Sequence, residues 1–71
     1  MSIKQLSLKK VMDDPRNGLG DDYDPDSIYY VIGRGQAGQQ KYHGCEVVAE
    51  CAGAAGEDMI MVKRKKNEQG V

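Results

Sequence analysis

The sequence predicts a small α+β domain, a three-stranded antiparallel β-meander with an N-terminal helix across one face. Three observations predict it. Ile28-Tyr29-Tyr30-Val31-Ile32 and Met59-Ile60-Met61-Val62 are short apolar runs of strand length, rich in β-branched and aromatic residues. Between them Cys45, Val47, Ala49 and Cys51 alternate with Glu46, Val48 and Glu50, which places an apolar face against a mostly charged one. The stretches Gly33 to Gln40 and Gly53 to Asp58 are rich in glycine and separate the three runs as hairpin loops would.

Taken in order, residues 1–14 form an N-terminal helix or strand. Ser2 followed by Gln5 has the form of a capping box, and Ile3, Leu6, Val11 and Met12 suit one helical face. Leu, Lys, Gln and Met are helix formers, and Pro15 and Gly18 stop the helix. The strand reading sets Leu6, Leu8 and Met12 on one face, and a strand over residues 3–10 gives the alternative architecture, a small all-β barrel-like domain. Residues 15–26 read as an irregular acidic loop holding Pro15, Asn17, Gly18, Gly20 and Pro25. Residues 27–66 carry the β-meander, and residues 67–71 are a flexible tail. The middle element, residues 42–52, also fits a helix with Tyr42, Cys45, Ala49 and Ala52 on one face, which would make a βαβ unit. Gly44 and the Val47-Val48 pair favour the strand.

The chain of 71 residues is one small domain, residues 1–71. No apolar run approaches the roughly 20 residues of a membrane span, so no membrane partner is expected. A mixed polar segment after Met1 does not read as a signal peptide. A hydrophobic content of 39% with net charge −1 argues against disorder. A domain this small buries about 60% of its unfolded surface and is marginal alone. Both predicted strands 28–32 and 59–62 are apolar on both faces, whereas one short helix covers one face. A homodimer is therefore expected, with Tyr29, Val31, Met59 and Met61 as its interface and Ile28, Tyr30, Ile32, Ile60 and Val62 turned to the helix. A register slip of one residue would exchange the two sets.

Charge is sharply segregated. Residues 13–26 hold Asp13, Asp14, Asp21, Asp22, Asp24 and Asp26 against the single Arg16, whereas residues 63–66 read Lys-Arg-Lys-Lys. The acidic loop, through Asp21, Asp22, Tyr23, Asp24 and Asp26, is expected to engage a protein partner, with Tyr23 as an aromatic anchor. The basic residues Lys9, Lys10, Arg34, Lys63, Arg64, Lys65 and Lys66 suit phosphates and define the alternative, a nucleic-acid-binding protein. The chain has four tyrosines and no tryptophan or phenylalanine for stacking on bases.

Several strings imitate known sites. Gly33-Arg34-Gly35-Gln36-Ala37-Gly38 has the G-x-G-x-x-G spacing, with Glu57-Asp58 about twenty residues on. The dinucleotide mechanism needs a helix opening at the third glycine, and here the following segment holds Gly44 and two valines. Asp22-Tyr23-Asp24-Pro25-Asp26 opens like a calcium loop, but Ser27 and Gly33 stand where glycine and glutamate are required. His43 and Cys45 share a strand face, yet a structural zinc site needs four ligands and there is no other histidine. Nor does the His43–Cys45 pair have a third group to orient it as base and nucleophile. No enzyme, cofactor or metal is expected. Cys45 and Cys51 lie about 20 Å apart on a strand or near 9 Å on a helix, beyond the roughly 7 Å that a disulfide tolerates. Two free, at least partly buried thiols fit a reducing compartment, and a cytoplasmic location is expected.

The eight residues Val31-Ile32-Gly33-Arg34-Gly35-Gln36-Ala37-Gly38 resemble the glycine loop of KH RNA-binding domains, with Gly35-Gln36-Ala37-Gly38 as the GXXG. In that family the loop joins two helices, whereas Ile28 to Ile32 predicts a strand, and the family's regularly spaced isoleucines are missing afterwards. What the sequence supports first is a small intracellular protein-binding module, a regulator, inhibitor or adaptor of the kind mobile elements or phages carry. It would act through the acidic loop and an apolar sheet face.

Overall fold

The computed structural model describes residues 3–66. It is α+β: strand β1 (Lys4–Ser7), helices α1 (Leu8–Asp13) and α2 (Arg16–Leu19), and strands β2 (Ser27–Gly33), β3 (Glu46–Ala52) and β4 (Asp58–Lys65). The expected flexible tail, residues 67–71, lies outside the described residues.

The N-terminal segment is strand and helix in succession. Gln5, expected to cap a helix, sits in β1 and bonds instead with its side-chain amide to the Glu50 carboxylate. The helix begins after Ser7 and ends at Asp14, whose extended backbone (φ −161°) precedes Pro15. The acidic segment is not irregular. It contains α2 and a single 3₁₀ turn, Gly20–Asp22. Gly18 permits α2 to lie against α1 and β1, because a Cβ there would meet Val11 Cγ1 at 2.7 Å and Leu6 Cδ1 at 2.9 Å.

The three predicted strands exist, but they do not form a meander. The sheet has four strands in the order β1-β3-β4-β2. β4 pairs antiparallel with both β2 and β3, and β1 adds to β3 in parallel. The sheet is thus mixed, and the connection through residues 34–45 passes from β2 to β3 with β4 between them. A central position explains why β4 is apolar on both faces: Ile60, Met61 and Val62 are all buried. The same open order does not match the barrel-like alternative, since among the described residues β1 and β2 are the two edges and do not pair with each other.

Each face of the sheet has its own apolar cluster. On one, Val11 of α1 and Leu19 from α2 pack on Ala49, Cys51 and Met61, with Tyr23, Tyr29, Val31 and Met59 around them. On the other, Ile32, Ile60 and Val62 lie under Tyr42 and Cys45 from the crossing connection, and Tyr42 meets Tyr30 edge-on at 5.7 Å. The expected dimer face is corrected by this register. Tyr29, Val31, Met59 and Met61 lie on the helix side, and Met61 is 0% exposed within its own chain. Ile32, Ile60 and Val62, expected beneath the helix, form the opposite face, covered by residues of the 34–45 connection. The expected β3 face is also revised. A register shift between Val47 and Ala49 turns Ala49 and Cys51 to the helices, while Cys45 packs on the opposite side.

Cys45 and Cys51 are both free thiols, the second buried. Among the described residues no helix is long and apolar enough to cross a membrane.

Candidate functional site

The acidic loop and the basic segment, distant in sequence, are neighbours in the fold. Pairing of Ser27 with Lys65 brings the start of β2 against the end of β4. Asp24 is the hub. Its carboxylate accepts hydrogen bonds from the Ser27 hydroxyl at 2.8 Å, the Asp26 amide at 3.0 Å and the Lys65 ammonium at 3.2 Å. Those contacts, the Ser27 hydroxyl foremost, lower its pKa to about 2. The Asp24 amide in turn donates to the Tyr29 hydroxyl at 2.8 Å. Lys66 donates from its ammonium to the Pro25 carbonyl and from its amide to Asp26 O. Lys4 pairs with Asp22 at 2.9 Å.

Tyr23 is likewise occupied. Its ring stacks on Tyr29 at 5.2 Å between centroids, and the Arg16 guanidinium lies over it at 5.2 Å. Of the residues expected to face a partner, Asp21, Asp22 and Asp26 are exposed, Asp22 in its pair with Lys4, while Tyr23 and Asp24 are half-buried and engaged within the chain.

The basic residues do not form one surface. Lys9 and Lys10 are exposed on α1. Arg34 follows β2 at the opposite end of the sheet from residues 63–66, where its guanidinium bonds Asp58 twice, at 2.9 and 3.0 Å, and Glu50 once, at 2.8 Å. Asp58 first and Glu50 second push the Arg34 pKa up. Gln5 and then Arg34 hold Glu50 low, and Arg34 holds Asp58 low. Arg64 donates to the carbonyls of Lys41 and His43, fastening the crossing connection to the sheet. Arg34 and Arg64 therefore act as internal ties.

The glycine string is a turn. Arg34–Gln36 is one 3₁₀ turn rather than the start of a helix, and the Gly33 amide is capped by the Gln36 side chain at 3.0 Å. A Cβ at Gly35 or Gly38 would enter open space, so neither glycine serves a close approach. Among the described residues no three His, Cys, Asp or Glu side chains converge as metal ligands.

The sequence does not reveal a concave feature on the helix side of the sheet. α1 has six residues and is about 9 Å long, whereas the eight residues of β4 span about 26 Å. The helices leave one end of their sheet face open. There a cleft of about 430 Å³ is lined by Ile3, Lys4, Leu19, Asp22, Tyr29, Glu46, Val47, Val48 and Lys63. Ile3 is 44% exposed and Val47 39%, although both are large and apolar. The rim alternates in sign: Lys4 is bridged to Asp22, and Glu46 stands opposite Lys63 across the β3–β4 ladder. The register shift between Val47 and Ala49 lies in this wall, where such irregularities re-aim side chains. The sequence signal was weak. Val47 and Val48 are consecutive apolar residues in an otherwise alternating strand. Compared with family models, curated proteins and solved structures, the chain gives no match.

Proposed function

We propose that this chain is a small protein-binding module, without catalytic activity, whose recognition site is the cleft between α2 and the start of β3. The reading rests on one observation: Ile3 and Val47, both apolar and exposed, line the same concavity as Leu19 and Val48. Apolar surface gathered in a cleft and rimmed by charge is the usual form of a recognition site. The occupant is an extended peptide segment of another protein. It presents one apolar side chain to Leu19, Val47 and Val48, with a charge on each side to meet Lys63 and Glu46. This moves the binding role away from the acidic loop, whose Asp24 and Tyr23 are committed internally. The free thiols of Cys45 and Cys51 suit a reducing compartment such as the cytoplasm.

The nucleic-acid alternative is weaker because Arg34 and Lys65 are held by carboxylates and Arg64 and Lys66 by carbonyls. The test is selection of binders from a random peptide library, followed by calorimetry with the wild-type chain and with Val47→Asp. Selected peptides should carry an apolar residue between charges, and Val47→Asp should weaken them at least about tenfold, the scale of one hydrophobic anchor. Peptides that bind both chains equally, or salt-sensitive binding of nucleic acid in their place, would overturn the reading.

A further inference from the structure

We propose that the free edge of β2 is a self-association site, at which two copies of this chain join their sheets antiparallel across a two-fold axis at Tyr30. The hydrogen-bonding direction along β2 follows from its contacts. Lys66 donates its amide to Asp26 O at 3.0 Å, so the pairs that bond across the β2–β4 ladder are those of Ile28, Tyr30 and Ile32 with Arg64, Val62 and Ile60. The intervening Ser27, Tyr29, Val31 and Gly33 turn their amides and carbonyls outward. At the two ends this outward edge is already capped. The Ser27 amide bonds Asp24 O at 3.1 Å, and the Gly33 amide bonds Gln36 Oε1 at 3.0 Å. Between the caps, Tyr29 and Val31 present an open window, and β2 has no strand on that side among the described residues.

That window is its own complement. A two-fold axis at Tyr30 sets Tyr29 opposite Val31 of the second copy, and such a pair exchanges both N–H···O bonds. Tyr30 then meets Tyr30 of the second copy at the closer, non-bonded position. Aromatic with β-branched, and aromatic with aromatic, are the favourable cross-strand combinations. Natural edges are usually protected by lysine, proline or a bulge. From Ile28 to Gly33 this edge has no charge and no proline, in a chain that is 30% charged. Identical edges therefore meet without like charges opposed, and a charged partner strand would find nothing to pair with. The symmetric join also extends both apolar clusters, through Tyr29 and Val31 on one face and Tyr30 on the other.

The test uses the full chain. Sedimentation should give a mass near twice 7.8 kDa at high concentration. Amide exchange should show Tyr29 and Val31 slowing as concentration rises, while Tyr30 and Ile32, bonded to β4, stay slow throughout. Val31→Pro removes an outward donor and leaves the ladder to β4 intact, as proline does at edge positions. It should weaken association at least about tenfold, since the symmetric dimer loses one bond at each protomer. A monomeric mass at millimolar concentration would overturn the proposal. So would a dimer that Val31→Pro leaves unchanged, or one in which the Tyr29 and Val31 amides still exchange freely. Should Val31→Pro fail to fold, the exchange of the wild-type amides decides alone. The peptide cleft plays no part in these readouts, so Val47→Asp should dimerise like the wild type.

Discussion

Lys65 and Asp24, 41 residues apart in the chain, meet at 3.2 Å and tie the basic end of β4 to the acidic segment before β2. Two features that read in sequence as rival binding surfaces are therefore joined to one another, through Lys65 to Asp24 and Lys66 to the Pro25 and Asp26 carbonyls. At Asp24 and Lys65 segregated charge serves the fold, while Asp21 and Asp26 stay exposed beside it.

Asp24 should dominate this tie. Its pKa is lowered to about 2, below the ordinary carboxylate value of 3.8. A depressed folded-state value contributes stability that is present above about pH 4 and is lost as pH falls from there through 2. Acid unfolding should show a descending limb in that window, and Asp24→Asn should flatten it. Glu50 and Asp58, also held low, keep part of the slope. Lys65→Ala should cost less than Asp24→Asn, because the Ser27 hydroxyl is the larger support. Thermal melts between pH 2 and 7 check the order.

Met61 and Met12 separate the core from the surface. Met61 is 0% exposed and Met12 66%. Met61→Ala should destabilise by about 2–5 kcal/mol, and Met12→Ala should stay within about 0.5 kcal/mol. Urea titrations measure both. A mild effect at Met61 would mean that the helices do not cover that face.

Gly18 should resist substitution although it lies in a helix. Alanine there improves helix propensity by about 1 kcal/mol, but its Cβ would stand 2.7 Å from Val11 Cγ1. Overpacking of about 1–3 kcal/mol should win, so Gly18→Ala lowers the melting temperature. Gly35→Ala, with open space and no positive φ, should be neutral or stabilising by about 0.4–1 kcal/mol.

The thiols should differ in reactivity. Burial pushes the Cys51 thiol up and shields it, whereas Cys45 is partly exposed. Native labelling should modify Cys45 quickly and Cys51 only after unfolding. Rapid modification of both would contradict the placement of β3.

The strands were legible because their signal is local. Ile28 to Ile32, Met59 to Val62 and the alternation around Ala49 lie within β2, β4 and β3. Their order was not, because order is set by long-range pairing. Two-sided apolarity marked both β2 and β4, yet β4 is central and β2 is an edge. The change from strand to helix at Ser7 was hidden because Leu6 and Leu8 both join the core on the helix side. The cleft was invisible for a similar reason: Ile3, Leu19 and Val47 are brought together only by the parallel β1–β3 pairing and the shift beside Val48.

Amide shift mapping with a selected peptide decides whether the cleft, rather than the acidic loop, is the recognition site. If the peptide occupies the cleft, the largest changes fall at Lys4, Leu19, Val47, Val48 and Lys63, with Asp24 and Asp26 little altered. Changes centred on Asp21 to Asp26, with the cleft residues unmoved, would return the binding role to the acidic loop.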